Sequence, residues 1–231
     1  MESKRLILIK LSGELFSKEK DLSVIKHVIA QLKELAAKVS LGIVIGGGNF
    51  FRGGQDGKRL EMCISAAHEV GMLATLMNGR ILQNLLKKEG LPTILCSALY
   101  CPSLAQPLSS SLIADALKEN KIIIFGGGTG NSYFSTDTTA VVRALQINAP
   151  EIWKATTVDG IYSEDPRKNP KAVRIEKISF QDALNKKLEI MDQTALTLAQ
   201  DHSLKIRVFD LFKENAFLSA YNNAEFGSLL Q

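Results

Sequence analysis

The chain has 231 residues, of which 45% are hydrophobic and 23% charged; that balance excludes a disordered or fibrous chain and allows a full two-sided sheet to be buried. Its formal charge of +4 comes from scattered basic residues with nothing longer than pairs such as Lys87-Lys88 and Lys186-Lys187, so small anions are better expected partners than nucleic acid. Met1 to Arg5 lead into only about seven apolar-rich positions, too few for a signal segment or membrane span, and Cys63, Cys96 and Cys101 make no framework, so a cytoplasmic chain with no membrane contact is expected.

Leu6 to Leu11 reads as a first strand. Ile25, Val28, Ile29, Leu32, Leu35 and Ala36 then recur at helical spacing between Asp21 and Val39, Gly42 closes that region, and Ile43 to Ile45 forms a second strand. Two helices are expected next, Leu60 to Met77 and Ile81 to Lys88, parted by the turn signal Asn78-Gly79. A strand at Thr93 to Ser97 follows Gly90-Leu91-Pro92, then a helix over Ser109 to Asn120 with serines to cap it, and a strand over Lys121 to Phe125.

Ser135 or Thr136 caps a helix through Leu145, and Glu151 to Thr156 is strand-like. Ser179 to Asp182 has the form of a capping box, Asp192 opens a helix to His202, and Ile206 to Leu211 is a late strand. The stretch 157 to 180 is expected to be a long functional loop or hairpin. Some six strands alternating with helices predict an α/β fold: a three-layer α/β/α sandwich with a mainly parallel central sheet, one domain over residues 1–231, and ligands at the carboxyl ends of the strands. Trp153, Met72 and Met77 are expected to pack, and His27 and His202 have no metal-ligand spacing.

Chemistry concentrates at two strand ends. Ile43 to Ile45 runs into Gly46-Gly47-Gly48-Asn49, with Arg52 close behind, and Ile122 to Phe125 runs into Gly126-Gly127-Gly128-Thr129-Gly130-Asn131. Strand ends without Cβ atoms let backbone N–H groups approach an anion, and two of them suggest two neighbouring phosphate sites and hence phosphoryl transfer. Neither segment has GxGxxG spacing, and Gly57-Lys58 is followed by Arg59, so the Rossmann and P-loop fingerprints are absent. Lys10-Leu11-Ser12-Gly13 ends the first strand and can set an ammonium against phosphoryl oxygens. Arg52 adds a planar fork, while Thr129, Asn131, Ser132, Tyr133, Phe134, Ser135 and Asp137 follow the other glycine run.

These pieces resemble the amino acid kinase family, and within it the bacterial-type uridylate (UMP) kinases. The matching segments are KLSGE at 10 to 14, VIGGGNFFRG at 44 to 53, GMLATLMNG at 71 to 79, GTGNSYFSTD at 128 to 137, KATTVDGIYSEDP at 154 to 166 and MDQTALTLAQDHSLKIRVF at 191 to 209. The resemblance implies transfer of the ATP γ-phosphoryl group to UMP, in pyrimidine nucleotide biosynthesis, with Mg²⁺ bound alongside ATP and a homohexameric assembly. It implies that Lys10, Leu11, Ser12, Gly13, Gly48, Arg52, Thr156, Tyr162 and Asp165 hold ATP. It places UMP on Gly47, Thr129, Gly130, Asn131, Ser132, Tyr133, Phe134, Ser135 and Thr136, with His68 where relatives carry a ribose-binding aspartate. Asp137 would orient Lys10, and Asp192 would help arrange the site; Lys10, Arg52, Asp137 and Asp192 are the expected catalytic set.

Two rivals stand beside this reading: a kinase of the same fold acting on a carboxylate or carbamate, and a nucleotide sensor that binds without turnover. A monophosphate acceptor needs no general base, because its second pKa near 6 leaves its oxygen ionised at about pH 7. Catalysis then reduces to alignment and charge neutralisation.

Overall fold

The computed structural model describes residues 4–231. In chain order the elements are β1 (Leu6–Leu11), α1 (Leu22–Ala36), β2 (Ser40–Ile45), α2 (Gly53–Arg59), α3 (Ile64–Lys88), β3 (Thr93–Ser97), β4 (Gln106–Pro107), α4 (Ser110–Lys118), β5 (Ile122–Gly126) and α5 (Thr136–Gln146). They continue with β6 (Glu151–Thr156), β7 (Ile161–Tyr162), β8 (Arg174–Ile175), β9 (Lys177–Ile178), α6 (Phe180–Asn185), α7 (Gln193–Asp201), β10 (Lys205–Asp210), α8 (Ala216–Asn222) and β11 (Ser228–Leu230).

Nine strands form one sheet in the order β4-β3-β5-β2-β1-β6-β10-β11-β9, parallel except between β10 and β11. Period-two alternation divides its residues between two cores. Leu8, Val44, Ile123 and Ile152 face one layer with Ala140, Val141 and Ala144 of α5 and Ala195 and Leu196 of α7. Ile7, Ile9, Ile43, Ile124 and Trp153 face the other, against Val28 and Leu32 of α1, Leu76 and Leu82 of α3, and Phe217 of α8. The expected three-layer α/β/α sandwich with a mainly parallel sheet is what the chain forms. Trp153 is fully buried, edge-on to Phe209 at 5.8 Å, so it belongs to the core.

The helix starts follow the capping residues. Ser109, Ser135, Ser179 and Asp192 each accept from an N–H in the first turn of α4, α5, α6 and α7. The stretch 157 to 180 holds a short hairpin, with Ile161 opposite Ile175 and Tyr162 opposite Arg174.

Several local readings are corrected. The helix expected to break at Asn78-Gly79 runs unbroken from Ile64 to Lys88. A Cβ on Gly79 would lie 2.9 Å from Leu95 Cδ1, so the glycine serves close packing of α3 on β3 rather than a turn. Asn78, fully buried, turns its amide to the loop after β2. Gly42 ends no helix: it lies inside β2, where a Cβ would meet Ile147 Cδ1 at 2.6 Å. Met77, expected to pack, is 52% exposed. The glycine-rich α2 was unforeseen, as were α8 and β11; Gly57 lets α2 close onto Ala67 of α3. Among the described residues no helix is long and apolar enough to cross a membrane, and all three cysteines are free thiols.

Gly79→Val should overpack the contact with Leu95 and cost about 1–3 kcal/mol. Urea unfolding should show a lower midpoint with an unchanged slope; an unaltered midpoint would mean that α3 is not seated on β3 as described.

Candidate active site

The central strands β5, β2, β1 and β6 all run the same way and end at Gly126, Ile45, Leu11 and Thr156, so their loops converge on one edge of the sheet. The parallel register of β1 with β6 sets Lys10 directly beside Lys154. Both lie in step with Leu8 and Ile152 and therefore point to the face that α5 covers. Capped by Ser135, α5 starts there and brings Asp137 between them: Lys10 Nζ stands 3.0 Å from Oδ1 and Lys154 Nζ 3.0 Å from Oδ2. Lys154 also donates to the Ile190 carbonyl. Asp137 is the one partner of Lys10 among the described residues, whereas Lys154 has two, so Lys10 is the freer of the two ammonium groups.

Burial alone would raise the Asp137 carboxyl, but the charges of Lys10 and Lys154 outweigh it and hold its pKa well below the usual carboxylate range. A carboxyl lowered by folding stabilises the chain above its unfolded pKa, near 4, and that stabilisation is lost only as pH falls through the lower folded value. Asp137 is thus ionised at neutral pH and is not a proton acceptor there. Burial lowers the pKa of Lys154, with Asp137 opposing the shift. Two ammonium groups share the Asp137 carboxylate at the strand ends, and the Asp192 carboxylate is near enough to act on Lys154.

The loop after β2 is held from beneath by α3. Asn78 donates to the Gly46 carbonyl and to Asn49 Oδ1, each at 2.6 Å. A Cβ on Gly13 would stand 2.5 Å from the Gly46 carbonyl oxygen, and one on Gly47 2.8 Å from the Thr75 nitrogen. Glycine is required at both for close approach. Among the described residues the N–H groups of Gly47 and Gly48 are not engaged. Arg52 donates to the Gly48 carbonyl at 3.1 Å and pairs with Glu14 at 2.6 Å.

The loop after β5 relies on left-handed backbone at Gly127, Gly128 and Gly130, with φ of 74°, 59° and 84°. Thr75 Oγ1 accepts from Gly127 N–H at 3.0 Å. Tyr133, also left-handed at φ 72°, donates its N–H to His68 Nδ1 at 2.6 Å. Tyr133 and Phe134 remain exposed. Asp192 caps α7 and accepts from Thr138 Oγ1 at 3.0 Å and from the Ser135 hydroxyl, so it braces the start of α5.

Two clefts flank this edge. The smaller, about 350 Å³, is lined by Gly47, Gly48, His68, Gly128, Tyr133, Phe134, Ser135 and Thr136 among others. The larger, about 510 Å³, has Lys154, Thr156, Tyr162 and Asp165 in its wall. Asp137 follows directly on the first and is bound to Lys154 of the second, which puts the charged triad between them. Not every expected residue lines a cleft: Lys10, Gly13, Arg52, Asp137 and Asp192 line neither, Thr129 and Asn131 bond to each other, Gly130 packs on Ala98, and Ser132 donates to Ser65. Leu11 is buried, its carbonyl taken by Gly46 N–H. Ser12 caps the short turn at Gly13–Phe16. In the larger cleft, Tyr162 donates to Asp159 at 2.7 Å and Asp165 pairs with Arg167 at 3.0 Å.

Sequence reasoning missed Lys154 as a site residue, although a lysine inside the otherwise apolar Ile152-Trp153-Lys154-Ala155 was a signal. It also missed Thr75 and Asn78, whose polarity on a buried helix face marks them in retrospect.

The amino acid kinase family model matches residues 5–210. A uridylate kinase of Deinococcus radiodurans is 38% identical over 97% of this chain and 94% of its own length. Among solved structures, UMP kinase from Ureaplasma parvum superposes with a TM-score of 0.93 at 34% identity, covering 99% of each chain. UMP kinase from Bacillus anthracis superposes with a TM-score of 0.92 at 28% identity, covering 99% of this chain and 96% of the other. With a family match over most of its length and a curated relative aligned nearly end to end, the chain belongs to the amino acid kinase family, on its uridylate kinase branch.

Proposed function

We propose that the chain is a UMP kinase that transfers the γ-phosphoryl group of ATP to UMP, giving UDP and ADP, as one domain in the cytoplasm. The observation that carries this reading is the Lys10–Asp137–Lys154 triad between two clefts. ATP takes the larger cleft, with Thr156, Tyr162 and Asp165 around the adenosine and Lys10, Leu11, Ser12, Gly13, Gly48 and Arg52 around the phosphates. UMP takes the smaller, on Gly47, His68 and the segment from Thr129 to Thr136, of which Tyr133 to Thr136 line the cleft and Thr129 to Ser132 shape the loop behind it.

In the transfer a UMP phosphate oxygen forms the new bond to the γ-phosphorus. The bond from that phosphorus to the β–γ bridging oxygen breaks, and ADP leaves with the electron pair. No proton is removed, which suits a site whose buried carboxylate stays ionised. Lys10, the freer ammonium, is held by Asp137 where charge develops on the phosphoryl oxygens, and Lys154 holds Asp137 in turn. Arg52 leaves Glu14 for phosphate oxygens, which offer its fork a bidentate partner.

Among the described residues no three His, Cys, Asp or Glu side chains gather as a metal cage. Asp137 is engaged by lysines, and Asp192 by hydroxyl and amide donors. That donor set fits Mg²⁺ that arrives on the triphosphate and is held by its oxygens and water; when bound it neutralises phosphate charge.

On α3, Leu73, Met77 and Ile81 follow one another four residues apart and are 45%, 52% and 37% exposed. This apolar stripe supports assembly with further copies of the chain, and we place it in the contacts of a homohexamer. Light scattering should report a hexamer for the native chain and smaller species for Met77→Lys; a native monomer would remove the assembly.

With ATP and Mg²⁺, a coupled assay over nucleoside monophosphates, carboxylates and carbamate should give turnover on UMP. Turnover only on the other acceptors would favour the rival kinase reading, and binding of both nucleotides without UDP would favour the sensor. Lys10→Ala should lower kcat by about 10²–10³ with little change in UMP binding. Lys154→Ala should lower kcat comparably, and an unaltered rate in either variant would take that lysine out of the transfer.

A further inference from the structure

Beneath the smaller cleft lies a cation without a counter-ion. Arg143, on α5 nearly two turns beyond Asp137, is only 3% exposed. Its Nη2 donates to the Gly128 carbonyl at 2.9 Å and its Nη1 to Gln146 Oε1 at 2.7 Å, both neutral acceptors. Nε is buried with no partner, and the guanidinium carbon lies 5.8 Å from the centre of the Phe125 ring. Among the described residues no carboxylate pairs with it. Burial lowers its pKa to about 10, still high enough to keep the charge. Cys96, the nearby group with which it interacts, is itself pushed up by burial to about 11 and remains a neutral thiol.

A buried charge with no partner is costly, and an apolar side chain of similar length would fill the same space without that cost. The other deeply buried arginine shows the contrast: Arg207 Nε meets Glu151 at 2.9 Å. Gly128, whose carbonyl Arg143 holds, lines the smaller cleft, so a single peptide unit separates the guanidinium from that cleft. The charge missing from the chain is therefore available from the ligand.

We infer that Arg143 is a positioning residue that acts through the Gly128 peptide as the fixed counter-charge of the acceptor cleft, and that its partner is the phosphomonoester of the nucleotide bound there. This rests on the smaller cleft being the monophosphate site. The fixed cation favours the dianionic ligand over an uncharged nucleoside, and its buried position keeps water from screening it. It touches no reacting atom, so its effect falls on acceptor binding rather than on turnover.

Calorimetric titration of the full-length chain with UMP and, as the phosphate-free probe, uridine tests this. Arg143→Met should weaken UMP by about tenfold or more while uridine changes by less than about twofold, and Arg143→Lys should restore UMP to within about threefold. The saturating kcat of Arg143→Met should stay within about threefold of the native value. Equal weakening of both ligands would mean that Arg143 only shapes the loop, and unchanged UMP affinity would mean that its charge is not felt; either overturns the proposal. If Arg143→Met does not fold, Arg143→Gln, which removes the charge but keeps a donor for the Gly128 carbonyl, carries the same comparison with the same two overturning outcomes. A native chain that binds no UMP at all would instead remove the acceptor site on which the inference rests.

Discussion

The pairing of β1 with β6 is the constraint on which the site depends. A parallel register that sets Lys10 against Lys154 would place two ammonium groups side by side in a nearly dry environment, a repulsion that neither strand can relieve. Asp137 relieves it from a third element, because the start of α5 is fixed by the Ser135 cap and by the bracing of Asp192. One carboxylate between two cations neither extinguishes the positive charge nor leaves it mobile. The result is a preorganised cation at the sheet edge, available to a phosphoryl group without reorganisation when the ligand arrives.

α3 contributes the second constraint, from the opposite layer. Its unbroken 25-residue length carries Asn78 under the first glycine loop and Thr75 under the second, so one rigid rod sets the height of both. Gly79 lets the rod lie close to the sheet, and Gly47 lets the loop lie close to the rod. With the Gly47 carbonyl taken by Phe50 and Phe51 and the Gly48 carbonyl by Arg52, the N–H groups of Gly47 and Gly48 stay unengaged among the described residues, an arrangement suited to anions rather than to fold stability. The outer face of the same helix carries the exposed apolar stripe, so assembly would bear directly on the element that shapes the loops.

The opposite end of the sheet is built for stability. There Glu151 is held between Arg207 and Arg5, and Arg207 also donates to the Ala224 and Phe226 carbonyls, which ties the last helix and strand to the sheet. At the carboxyl end Lys10 and Lys154 share Asp137, Arg143 has no carboxylate partner among the described residues, and the Gly47 and Gly48 amides are left to a ligand. Such polarity is the expected division in a parallel sheet whose loops gather at one edge.

Much of this was legible locally. Period-two runs located β1, β3 and β6 to the residue, serine and aspartate caps located the starts of α4, α5, α6 and α7, and paired glycine runs marked the edge where ligands belong. Those signals act within a turn or a strand, so they survive reading in one dimension. The same locality explains the errors: Asn78-Gly79 carries the chemistry of a turn, and only the proximity of Leu95 and Gly46 reveals that it serves packing and loop support inside a helix. Lys154 acquires its role from strand register, Arg143 from burial beneath Gly128, and Asp137 from lying between two lysines far apart in the chain. By itself the sequence determined the central strands, the capped helices and the residue types that stand at their ends. The tertiary structure alone decided which of those charges meet, because Coulomb energy depends on distance and burial, and neither is a property of position along the chain.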